Sequence, residues 1–152
     1  MYIVVNIFLV DDSEYIRNTL KAVLTYAGYN IVGEAANANE AIEKYQALHP
    51  DVVLLDIVLK INETERTGID VLREILVLDP QAKIIICSAL NQQALIKESL
   101  GIGAKAFIAK PFQPENLLEV VKTCVDLHMK TETGKGSKKT LNEHRNAKVI
   151  LA

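Results

Sequence analysis

Three short runs in this chain are apolar without alternation: Phe8-Leu9-Val10, Val52-Val53-Leu54-Leu55 and Ile84-Ile85-Ile86. A strand with one wet face alternates apolar and polar residues, so an unbroken apolar strand is one covered on both faces. Helices on each side of a parallel sheet provide that cover. The rest of the chain fits this arrangement. Segments 4–10, 29–34, 51–56, 82–88 and 105–110 read as five strands, each followed by a helical period. In the first period Ile16, Leu20, Val23, Leu24 and Ala27 recur at three- and four-residue spacing, with Ser13 as N-cap and Gly28 as stop. The second covers 39–48 and ends before His49-Pro50. The third follows Gly68, carries Val71, Leu72, Ile75 and Leu76, and stops before Asp79-Pro80. The fourth covers 92–100 and is ended by Gly101 and Gly103. The fifth starts after Pro114 and carries Leu117, Leu118, Val121 and Val125. Five such units predict a doubly wound α/β domain, whose ligands sit at the carboxyl ends of the strands.

Composition narrows the class. Of 152 residues, 49% are hydrophobic and 24% charged, the balance of a soluble globular protein. No apolar run approaches the roughly 20 residues of a membrane helix. The apolar stretch 2–10 has no Lys or Arg before it and ends in two aspartates, so it reads as a strand rather than a secretory signal. A cytoplasmic protein is expected. Cys87 and Cys124 lack CxxC or metal-ligand spacing and read as two buried, reduced thiols.

Charge is uneven along the chain. Residues 1–129 hold 11 Lys and Arg against 17 Asp and Glu, whereas residues 130–152 hold 6 against 2. An acidic body with a short basic tail does not suit a nucleic-acid-binding domain. Beyond about residue 129 the helical pattern fails, and segment 131–140 (TETGKGSKKT) is polar and rich in Gly, Ser and Lys. The expected division is a domain over 1–129 and a flexible basic tail over 130–152, too short for an output domain.

The predicted strands end in chemistry. Asp11-Asp12 follow the first, Asp56 ends the third, Ser88-Ala89 the fourth and Lys110-Pro111 the fifth. An Asp-Asp pair alone is more often a helix cap or a solvated turn, and a Lys-Pro dipeptide alone carries no information. In a parallel sheet, however, all of them converge on one edge. Three carboxylates there repel one another unless a cation compensates, and Mg²⁺ takes oxygen ligands while keeping waters or phosphate oxygens. Asp56 is the natural nucleophile for an acyl phosphate, with Lys110 and Ser88 placed to hold phosphoryl oxygens.

The stretches Phe8-Leu9-Val10-Asp11-Asp12, Val53-Leu54-Leu55-Asp56-Ile57, Gly68-Ile69-Asp70-Val71-Leu72, Ile86-Cys87-Ser88-Ala89 and Gly103-Ala104 through Lys110-Pro111-Phe112 resemble the receiver domain of bacterial two-component response regulators, of the stand-alone CheY-like type, over about 3–128. The resemblance implies a flavodoxin-like five-stranded parallel sheet of order 2-1-3-4-5 with five helices. It implies phosphorylation of Asp56 by a sensor histidine kinase or a histidine phosphotransfer protein. Asp11, Asp12, Asp56 and the backbone carbonyl of Val58 would arrange Mg²⁺. Lys110, before a cis-Pro111, would pair with the phosphoryl group. Ser88 would follow that group, and Phe107 would be the aromatic switch. The surface of helix four, strand five and helix five would then change to bind an output partner or a second copy. The protein would catalyse only its own phosphorylation and dephosphorylation.

Two departures stand out against the family pattern. Segment 57–67 (IVLKINETERT) lacks the usual proline and is about four residues longer than the common loop, at little extra closure entropy. It either alters docking or folds over the pocket, or is a tolerated surface insertion. Val58 and Leu90 stand where the family tunes autodephosphorylation, and apolar groups there cannot orient water, so slow hydrolysis is expected. Two other readings have their own signatures. A relay intermediate would exchange phosphate rapidly with a histidine protein. An aspartyl-phosphate phosphatase would carry Asp-x-Asp, where this chain has adjacent Asp11 and Asp12.

Overall fold

In the computed structural model, residues 3–59 and 66–132 are described. Five strands, β1 (Asn6–Val10), β2 (Asn30–Ala35), β3 (Val52–Asp56), β4 (Ile84–Ala89) and β5 (Ala106–Lys110), form one sheet of order β2-β1-β3-β4-β5, as expected. All four pairings are parallel. The helices are α1 (Glu14–Tyr26), α2 (Ala38–Leu48), α3 (Gly68–Leu78), α4 (Gln93–Ile102) and α5 (Pro114–Glu132), with a 3₁₀ turn at Leu90–Gln92 leading into α4.

Each strand splits its side chains between two cores. Phe8, Val53, Leu55, Ile84, Ile86, Phe107 and Ala109 face α2, α3 and α4. Ile7, Leu9, Leu54, Ile85, Cys87 and Ile108 face α1 and α5. Every residue of β3 is buried, so the unbroken apolar run reflects cover on both sides.

Local signals set most of the helix ends. Ser13 accepts the Ile16 N–H, and Gly28, at φ 95°, makes the turn after α1 that L side chains rarely adopt. Thr67 and Asp70 form a reciprocal capping box on α3. Two ends differ from expectation. The fourth helix runs through Gly101 to Ile102, and the residue that ends it is Gly103 at φ 139°. The fifth continues past residue 129 to Glu132, there being no Gly or Pro before Gly134 to stop it. Segment 60–65 of the long loop and the tail from 133 onward lie outside the described residues. Among the described residues no helix is long and apolar enough to cross a membrane.

Candidate metal centre

Parallel register brings the strand ends together. Val10 lies opposite Leu55, Asp56 opposite Cys87, and Ala89 opposite Lys110. Asp11 and Asp12, one and two residues past β1, therefore meet Asp56 at the carboxyl edge. One carboxylate oxygen from each of Asp11, Asp12 and Asp56 lies within 4.8 Å of the others. Lys110 reaches the same place: its Nζ is 2.7 Å from Asp11 Oδ2 and 3.3 Å from Asp56 Oδ2. Its peptide bond to Pro111 is cis.

The carboxylates are held from behind by backbone groups. Asp11 Oδ1 accepts the Ser13 N–H at 2.9 Å, and Asp56 Oδ1 accepts the Val58 N–H at 3.0 Å. The Asp11 N–H donates to the Ala35 carbonyl at 3.0 Å. Its own carbonyl accepts from Arg17 Nη1 at 2.7 Å. Arg17 is steadied in turn by Glu34 on β2, at 3.3 Å, and Glu34 also pairs with Lys21. On the other side Gly68 packs backbone to backbone against the strand end. A Cβ there would stand 2.3 Å from the Asp56 carbonyl oxygen and 2.6 Å from Ile57 Cα. A glycine is required because main chain, which cannot swing aside, fills that space.

Burial and charge set the protonation of the group. Asp56 is 7% exposed, and its pKa is pushed up to about 6, mainly by burial and further by the Asp11 charge, with Lys110 and the Val58 N–H pulling the other way. Burial also works against the Lys110 ammonium, but its hydrogen bond to Asp11 and the Asp56 and Asp11 charges outweigh that and raise its pKa. Three carboxylates against one ammonium leave negative charge uncompensated when all are ionised. Hard oxygen donors in that number, on an open strand edge, suit a small divalent cation that keeps several waters, so the residues fit Mg²⁺.

The remaining predicted residues lie around this cluster. Ser88 is buried on β4, one residue past Cys87, the partner of Asp56, but its hydroxyl donates to Gln92 Oε1 at 2.9 Å. Phe107, 5% exposed, lies in the core on the α2–α3–α4 face. Val58 and Leu90 are 43% and 50% exposed. Cys87 and Cys124 are buried and unpaired, and burial pushes their thiols up to about 12 and about 11. Sequence reasoning missed Arg17 and Gln92. Arg17 was legible in principle, one turn past a capping serine, where a long side chain reaches back over the helix start. Gln92 was not, because the chain changes from strand to 3₁₀ turn between it and Ser88.

Comparison with known proteins agrees with this geometry. Residues 7–122 match the family described as "Response regulator receiver domain". The chain is 48% identical over 115 residues to the chemotaxis protein CheY of Thermotoga maritima, covering 76% of this chain and 92% of that one. It is 42% identical over 115 residues to the Bacillus subtilis CheY, with the same coverage. Among solved structures, the CheX–CheY–BeF₃–Mg²⁺ complex from Borrelia burgdorferi aligns with a TM-score of 0.72 at 36% identity, covering 78% of this chain and 87% of that one. A CheY-like receiver from Methanospirillum hungatei aligns at 0.76 and 29%, covering 85% and 99%. Asp phosphorylation and Mg²⁺ binding are characteristic of such domains, which are signalling proteins rather than conventional enzymes. The chain belongs to the receiver-domain family of two-component response regulators.

Proposed function

We propose that this receiver accepts a phosphoryl group on Asp56 from a phosphohistidine of a sensor kinase or a phosphotransfer protein. The carboxylate oxygen forms the new P–O bond as the P–N bond to the donor imidazole breaks. Asp11, Asp12, Asp56 and the Val58 carbonyl would hold Mg²⁺, which when bound neutralises charge developing on the transferred group. Lys110, already between Asp11 and Asp56, turns its ammonium to the phosphoryl oxygens. Ser88 supplies a hydroxyl donor, and Phe107 repacks in the core behind it.

The phosphoryl group adds about −1.5 to −2 charge. That charge biases two arrangements of the α4–β5–α5 surface and thereby the affinity for an output protein or a second copy. The observation that carries the reading is the convergence of Asp11, Asp12, Asp56 and Lys110 from three separate strand ends. Acetyl phosphate with Mg²⁺ should add one phosphoryl group, lost on hydroxylamine treatment and absent in Asp56→Asn by intact mass. Labelling that persists in Asp56→Asn, or that is indifferent to Mg²⁺, would contradict it.

A further inference from the structure

A hydroxyl has one proton to donate. The hydroxyl of Ser88, a residue 1% exposed and next to last on β4, gives its proton to Gln92 Oε1 at 2.9 Å and not to any oxygen of the acidic cluster. Gln92 is the residue from which α4 starts, the N-cap position, where a side-chain oxygen ordinarily accepts from the first free N–H groups of the helix. Here no side-chain cap bond is made. The carboxamide oxygen is spent on Ser88 instead.

We infer that Gln92 is a positioning residue that holds the Ser88 hydroxyl away from Asp56 and so sets how readily the site closes on a phosphoryl group. The inference rests on the reading of Asp56 as acceptor. For Ser88 to donate to a phosphoryl oxygen its bond to Gln92 must break, and the net worth of that bond is lost. That loss is subtracted from every contact the phosphoryl group gains. The same side chain links the chemistry to the helix, because releasing Ser88 frees the group that stands at the start of α4. Removing the carboxamide therefore favours the closed arrangement, whereas a residue that merely packed there would change stability without changing affinity.

The full chain carries the test, by amide NMR titration with beryllofluoride at saturating Mg²⁺. Gln92→Met, which keeps the length but lacks a strong acceptor, should bind about fivefold tighter than the parent, the factor one neutral hydrogen bond is worth. Gln92→Ala should do likewise. In a Ser88→Ala background Gln92→Met should have no effect, because the hydroxyl that the carboxamide restrains is gone. Unchanged or weaker binding in both single variants overturns the inference, weaker binding meaning that the carboxamide supports the hydroxyl. So does a gain that survives in Ser88→Ala. A parent chain that fails to bind beryllofluoride overturns the reading of Asp56 along with it, which separates the two failures.

Discussion

Asp56 is held with its carboxyl at about 6 rather than the ordinary 3.8, mainly because it is buried. The folded protein therefore grips that proton more tightly than the unfolded chain does. Stability on this account is fully present below about pH 4 and is lost as pH rises through 6. With divalent cations removed, Asp56→Asn should stabilise the protein at pH 7.5 by on the order of 2 kcal/mol. The advantage should fade toward pH 4, and thermal melts across that range check it. Arg17 sets two effects against each other. Removing its positive charge strengthens cation binding electrostatically, whereas losing its hydrogen bond to the Asp11 carbonyl lets the acidic loop drift. Positioning should win: Arg17→Met should weaken Mg²⁺ binding about tenfold by calorimetry, the usual scale for groups behind metal ligands. Tighter binding would mean that charge alone matters. At Val58 and Leu90 the exposed apolar groups give a water no partner, so Val58→Asn with Leu90→Glu should speed loss of the phosphoryl group in a decay measured after donor removal.

Between residues and the sheet, the element ends show what was legible. Unbroken apolar runs announced strands covered on both faces, and Asp11-Asp12, Asp56, Ser88 and Lys110 were found at one edge because parallel strands leave no other arrangement. Ser13 and Gly28 acted where their chemistry indicated, whereas the packing of Gly68 against Asp56 had no signal in the spacing. Gly101 misled because glycine ends a helix only where φ turns positive, and that happens two residues later. The path of the Gln92 side chain was illegible, since it depends on how a 3₁₀ turn joins β4 to α4 rather than on spacing along one element. Gly68 tests the contact between α3 and β3. Gly68→Ala would drive a Cβ into the Asp56 carbonyl, so it should cost roughly 1–3 kcal/mol, the range for inserting a group into a packed site. It should also weaken Mg²⁺ binding, read by denaturant melts and calorimetry.

Taken whole, the molecule is a sheet with a core on each face, and both thiols lie in the core shared by α1 and α5. Cys87 sits on β4 and Cys124 on the buried side of α5, with thiols pushed up to about 12 and about 11 by burial. Neither is reached by fraying one helix end. Native-state alkylation should therefore modify both together, at the rate of global opening, and Asp56→Asn should slow both equally. Separate rates would show that α5 detaches by itself.

The close fit of Gly68 against Asp56 and Ile57 has a consequence for the long segment between them. Leu59 is buried at one foot, and at the other Thr67 caps α3 while Arg66 reaches Asn39 and pairs with Glu74. Both ends are thus anchored to the body independently of what joins them. The intervening residues can therefore be rewritten or lengthened without disturbing the geometry of the Asp56 carboxylate.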